Sequence, residues 1–181
     1  VPSPASTTAA QDSGKPALPP PTNNPIDPQA LYKQLGYQHD GSGDYGNAIK
    51  HPFDAIRAKK AASAATEAAQ SVYGETNPAL GNGEGDAFRH ALWAYKMTKE
   101  IGDGAARAFG DAHERDGQPD GERLMDLYNN AIGRELAADP RNKDRSDEEV
   151  IREAIRAGKL QTRPFNMPGP MGGGLTYPPR R

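Results

Sequence analysis

Gly85-Asp-Ala-Phe-Arg-His-Ala-Leu-Trp93, Asp111-Ala-His-Glu114 and Met125-Asp-Leu-Tyr-Asn-Asn-Ala-Ile-Gly-Arg134 lie on three successive segments that can each form a helix. In the first, Asp86, His90, Trp93 and Met97 recur at i, i+4, i+7 and i+11, which is one helix face. Phe88, Leu92 and Tyr95 form a neighbouring stripe. In the third, Leu124, Leu127, Tyr128, Ala131 and Ile132 provide a side to bury, and Asp126, Asn130 and Gly133 share another. Nowhere does period-two alternation persist for more than a few residues, so strands are not expected.

Outward from this block, the breakers divide the chain into further helices. Gly102 and Gly104 end a helix over 86–101, and Gly117 and Pro119 end one over 104–115. A third runs over 121–138 and stops before Pro140. Upstream, 55–73 is an Ala-rich helix closed by Gly74 and Pro78, its small side chains suited to close helix approach. A short helix over 28–36 has Asp27 as N-cap, Pro28 in its first turn and Gly36 as its stop. The stretch 39–47 reads as loop. Ser146-Asp-Glu-Glu149 has the capping-box form and opens a last helix to about residue 157, closed by Gly158.

Eight of the 17 prolines fall within the first 30 residues and five within the last 18. Residues 1–29 therefore read as a disordered Pro-rich tether and 164–181 as a flexible Pro/Gly-rich tail. Between them, 30–163 is expected to be an all-α catalytic domain, a compact bundle of about five helices.

Composition removes several function classes. The mean hydropathy is −0.85, and no apolar run approaches the ~20 residues needed to span a bilayer, so no integral membrane segment is expected. A net charge of −2 without a basic run makes a nucleic-acid partner unlikely on charge grounds. With no cysteine, disulfides, thiolate metal sites and cysteine nucleophiles are absent. Val1-Pro-Ser-Pro-Ala-Ser-Thr-Thr reads as the start of a processed, exported chain or of a fragment cut from a longer one, and the expected location is secreted or periplasmic.

The chemistry is concentrated in the three quoted segments. Asp86 is placed to fix the tautomer of His90 one turn away, or to serve as an N-cap beside a merely buried histidine. Arg89 offers a planar fork to an anion. His113-Glu114 at a helix end supplies a ligand with a general base, or a general acid of raised pKa, and lacks the second histidine of the His-Glu-x-x-His zinc-protease form. Asn129-Asn130 inside a helix runs against propensity, which points to a role beyond helix formation. Gly133 costs the helix about 1 kcal/mol relative to Ala and leaves room for another backbone or a ligand. The order His90, His113-Glu114, Asp126 is loosely similar to the His…His-Asp…Asp ligand order of all-helical metal phosphohydrolases, with Glu replacing Asp.

Together the three segments resemble a poorly characterised bacterial domain found in exported and polymorphic-toxin-like proteins, over about a quarter to a third of the chain. The resemblance implies an export or interbacterial setting and draws attention to Asp86, Arg89, His90, Trp93, His113, Glu114, Asp126, Asn129, Asn130 and Arg134.

The expected function is an effector-type hydrolase of the cell envelope, with peptidoglycan ahead of phospholipid. Asp86, His90, His113, Glu114 and Asp126 are the catalytic candidates; Arg89, Trp93, Asn129, Asn130 and Arg134 are the substrate-binding ones. In one version His90, His113 and Asp126 or Glu114 hold a divalent metal such as zinc that activates water. In the other, Glu114 and Asp126 are the two carboxylates of a metal-free glycosidase. Beyond the envelope polymer, an immunity or secretion-system protein is the expected partner. The alternatives are a non-enzymatic helical binding module, with His90 and Glu114 fully hydrogen-bonded and no open cleft, and a phospholipase or nuclease toxin, which needs an apolar rim or a basic groove.

Overall fold

Capping chemistry sets most of the helix ends. Asp27 accepts a hydrogen bond from the Gln29 N–H at 3.0 Å, Pro28 follows it, and Gly36 closes the first helix at φ 62°. The computed structural model describes residues 17–37, 50–114 and 118–167. Among these are six α-helices and no strand: α1 Pro28–Leu35, α2 Pro52–Tyr73, α3 Glu84–Ile101, α4 Asp103–His113, α5 Asp120–Ala138 and α6 Asp147–Arg156. The all-α expectation holds.

Several boundaries differ from the sequence reading for local reasons. Helix α2 begins at Pro52, where the missing N–H costs nothing because the first helical donors have no partner anyway. Helix α3 begins at Glu84, so Asp86 lies inside the first turn instead of capping it. The loop before it contains a 3-10 turn, Pro78–Leu80, capped by Asn77. Ser146 is the N-cap of α6, but its side chain makes no capping hydrogen bond. The loop expected over 39–47 and the Gly117 break lie outside the described residues.

Helix α3 is the centre of the bundle, in contact with α2, α4, α5 and α6. Ala87, Phe88, Ala91 and Leu92 are fully buried, so this helix is apolar on more than one face, as a central helix must be. Its closest crossing is with α5. A Cβ placed on Gly133 would lie 2.2 Å from the Ala91 carbonyl oxygen, so only glycine admits this approach. The space expected at Gly133 is thus taken by backbone. On the other side, Ala61, Ala65 and Ala69 form the buried stripe of α2, and the Trp93 indole N–H donates to the Ala58 carbonyl at 3.1 Å.

Parts of the expected tether and tail lie against this body. Gln161 donates to and accepts from the backbone of Thr22, and Asn166 does the same for Ile26. The Tyr128 hydroxyl donates to the Pro19 carbonyl at 2.8 Å. Phe165 is 3% exposed and packs edge-on against Tyr128, so the core extends past residue 163. Residues 1–16 and 168–181 lie outside the described residues.

Candidate active site

Helix α3 contributes Asp86, Arg89 and His90, the end of α4 contributes Glu114, and α5 contributes Asp126 and Asn130. The α3–α5 crossing at Gly133 sets the two helices close enough for these short side chains to meet. His90 is at the centre. Its Nε2 lies 3.6 Å from Asp86 Oδ1 and 3.6 Å from Asp126 Oδ1, while its Nδ1 lies 3.7 Å from Glu114 Oε1. His90, Asn130 and the three carboxylates are buried, and Arg89 is partly exposed.

Only about half of the hydrogen-bonding atoms are satisfied. Asp86 Oδ2 accepts from the Asn82 N–H at 2.8 Å, and Asp126 Oδ2 accepts from Gln118 Nε2 at 3.3 Å. By contrast, His90 Nδ1, Glu114 Oε1, Asp126 Oδ1 and both side-chain polar atoms of Asn130 are buried without a hydrogen-bond partner. Native interiors leave few such groups, and a concentration of them at one place points to a functional site.

The Arg89 guanidinium donates to Asp86 Oδ1 and lies 3.1 Å from His90 Nε2. Because Arg can only donate, Nε2 must be the acceptor there, and the proton of the neutral ring sits on Nδ1 facing Glu114. Burial, reinforced by the Arg89 charge and opposed by Asp86, holds the His90 pKa down at about 3. Burial also pushes Glu114 up to about 9, with Asp126 and Asp86 adding to the shift. Asp126 is pushed up to about 8 by burial first and by Asp86 second. Three carboxylates facing one guanidinium would carry a net charge of about −2 if all were ionised, which a buried site cannot hold uncompensated. Two bound protons relieve that charge, and so does one divalent cation.

The donor set fits a cation. One atom each from Asp86, His90 and Asp126 lie within 4.8 Å of one another. Three N/O ligands with remaining positions open is the pattern of a catalytic rather than a structural metal site. The set differs from the sequence expectation in one member: Asp86 stands where His113 was expected. The His113 ring is 6.3 Å from that of His90, centre to centre, and packs on Trp93 instead, with ring centres 5.1 Å apart.

His113 and Trp93 belong to a cleft of about 410 Å³ that opens beside His90. One wall is the face of α2 bearing Ala55, Ala58, Lys59, Ala62 and Thr66. The other carries Arg89, His90, Trp93, Phe109 and His113. The alanine stripe is absent from the sequence-derived candidates. Its signal was the i, i+3, i+7 recurrence of small residues at 55, 58 and 62, which reads equally as helix packing.

Two other candidates are engaged elsewhere. Asn129 donates to the Gln161 carbonyl at 2.8 Å and accepts from the Gln161 N–H at 2.9 Å, clamping the segment after α6. Arg134 Nε is 3.2 Å from Asp103 Oδ1 at the start of α4 and is not among the residues lining the cleft. Gln118, which orients Asp126, was missed because its short distance to that helix depends on the turn between α4 and α5.

Fold and site thus define an all-helical domain built around a buried His–carboxylate cluster beside an apolar cleft. Residues 46–160 match the family described as a domain of unknown function (DUF6973), and the chain belongs to that family. No solved structure matches the chain. Among the described residues, no helix is long and apolar enough to cross a membrane.

Proposed function

We propose that this protein is a metal-dependent hydrolase of a cell-envelope component, exported or delivered to its target. The observation that carries the reading is the set of buried, unpartnered atoms on His90, Asp126 and Glu114 around a three-ligand cluster. Asp86, His90 Nε2 and Asp126 would hold a divalent ion of the zinc or manganese type, matched to one imidazole and two carboxylates, once the Arg89 guanidinium turns away from Nε2 and Asp86 Oδ1 and frees their lone pairs. Such an ion supplies Lewis-acid activation of water and of the scissile carbonyl or phosphoryl group.

The chain's own residues have separate tasks. Glu114 is the carboxylate facing His90 Nδ1, at 3.7 Å, and on closing to hydrogen-bond distance would complete the carboxylate–histidine arrangement that fixes a ligand's tautomer. Arg89 neutralises Asp86 and, with its side chain one-third exposed, can swing towards the cleft to meet an anionic substrate group. His113, at the cleft wall, is placed to give a proton to the leaving group.

The metal-free glycosidase version fits less well. A glycosidase needs its two carboxylates apart, by roughly 5–9.5 Å, with a sugar between them. Here Glu114 and Asp126 are both buried against one imidazole and neither lines the cleft, so a sugar has no access between them. The binding-module reading requires saturated His90 and Glu114 and a closed surface; the unpaired atoms and the cleft weigh against it.

The test combines metal content with turnover. Purified protein is assayed by elemental analysis, and against peptidoglycan and phospholipid vesicles by mass spectrometry of released fragments, with and without EDTA. Wild type should bind about one divalent ion and release fragments in an EDTA-sensitive way, and His90→Ala and Asp126→Asn should do neither. EDTA-resistant release, or a folded protein that takes up no divalent ion, would overturn the proposal.

A further inference from the structure

We infer that the cleft beside His90 receives an acyl chain, and that the substrate is an anionic phospholipid taken from a membrane surface. This deepens the hydrolase reading above and rests on it for the bond broken, though not for the chain bound.

The cleft walls decide the class of ligand. Ala55, Ala58 and Ala62 on one side and Trp93 and Phe109 on the other present methyl groups and rings. A glycan strand would bury hydroxyl and amide groups against them, and unpaired polar groups are costly to bury. A methylene chain loses nothing by the transfer. The volume of about 410 Å³ lies within the roughly 300–1,000 Å³ of small-molecule sites.

The surroundings decide how the chain arrives. Phe53 is 75% exposed and Ile56 66%, two of the three large apolar side chains left in solvent among the described residues. Both are on α2, within one turn of the cleft residues Ala55 and Lys59. Arg57, Lys59 and Lys60 are exposed on the same two turns. Two exposed apolar side chains with lysines on the same turns give this end of α2 both an apolar and an electrostatic means of resting on an anionic membrane surface, although Arg57 is paired with Asp54. Lys59 and Arg89 are the cationic groups of the cleft itself, placed for a phosphate at the end of the chain. In the reaction, a water molecule adds its oxygen to the ester carbonyl or phosphoryl centre. The alcohol oxygen leaves with a proton, giving the acid and the free alcohol with no redox change.

Trp93 is the chain's single tryptophan and lines the cleft, so its fluorescence reports occupancy directly. The experiment measures quenching of Trp93 by vesicles of brominated phosphatidylglycerol or phosphatidylcholine, and by hexyl, octyl and decyl phosphate with a brominated terminus. Affinity should rise roughly fifteenfold per added pair of methylenes, from the ~0.8 kcal/mol that each buried CH2 contributes. Phosphatidylglycerol should quench more than phosphatidylcholine, with the difference reduced in Lys59→Glu. Ala62→Phe fills the cleft from a half-buried helix position and should abolish quenching while leaving helicity and metal uptake unchanged. Phe53→Ser with Ile56→Ser should weaken vesicle quenching and spare the soluble alkyl phosphates.

Asp126→Asn separates the two proposals, since it should lose hydrolysis and keep chain binding. Chain binding by a protein that takes up no metal would sink the hydrolase reading alone. Metal uptake with muropeptide release, and no dependence on chain length, would sink the acyl-chain inference alone. Equal quenching in wild type and Ala62→Phe would also sink it.

Discussion

Asn129 and Asn130 are adjacent on α5, are 0% and 1% exposed, and have opposite fates. Asn129 is saturated by the backbone of Gln161 on both sides of its amide. Asn130 turns the other way, against Gly110 and towards His90, whose charged form it favours, and neither of its polar atoms makes a well-formed hydrogen bond. The region around Asn129 is a closed joint between α5 and the segment after α6, whereas the region around Asn130 is an open set of donors and acceptors. Burial is the same in both, so it is saturation that separates scaffold from site.

The sharpest way to break that comparison is to change one acid in the open region. Asp126→Asn should reduce turnover by at least about 10³-fold, several kcal/mol of lost charge stabilisation. In metal-free protein above about pH 8 the same change should raise the Tm, because it removes a buried acid that would have to ionise there. A fall in metal-free Tm, read by calorimetry, would put Asp126 with the scaffold.

The converse change should do the converse. Asn129→Ala leaves two buried backbone groups of Gln161 without partners, at about 1–3 kcal/mol each. A Tm lowered by roughly 5–15 °C, with turnover per folded molecule preserved, is the expected result.

The open region also predicts a pH dependence. Glu114 and Asp126 are raised in the fold to about 9 and about 8, from ordinary values of 4.5 and 3.8. Raised groups contribute their stability in full below the unfolded value, and it is lost as pH climbs to the folded one. Metal-free protein should therefore lose Tm steadily between pH 5 and pH 9, and saturating zinc or manganese should flatten that slope. Equal slopes with and without the ion would contradict cation binding at this cluster.

A surface ion pair supplies the smallest contrast. Burial alone would raise the Asp147 pKa, but hydrogen bonds from Lys99 and Lys96 outweigh it and hold the carboxyl below its usual range. A depressed acid stabilises above its unfolded value of 3.8 and stops doing so as pH falls through the folded one. Asp147→Asn should cost less than ~1 kcal/mol at pH 7 and nothing at pH 2, as urea titrations at the two pH values would show.

Much of this organisation is legible in the chain. Glycines, prolines and caps place the helices to within a few residues, because those residues act on the backbone locally. Asp86, His90, Glu114 and Asp126 stand out because short polar groups were inserted beside core positions. What could not be read is which way each polar group turns once three helices meet. His113 pairs with Trp93 and Asp86 replaces it in the donor set, a choice made by the α3–α5 crossing. The two asparagines differ by 100° around α5, and only the position of Gln161, 32 residues on, decides which one is satisfied. Likewise the alanines of α2 satisfy helix packing and cleft lining by one pattern, so sequence alone leaves the cleft hidden.

The clamps made by Gln161 and Asn166 bring residues 22 and 26 alongside residues 161 and 166. The described chain therefore comes in and goes out on one side, like the neck of a drawn bag. Tension applied through flanking segments would fall first on the Pro19–Tyr128 bond and these four hydrogen bonds, and only after they part on the helices behind them. A pull on both flanks at once would thus reach this neck before it reached the interior.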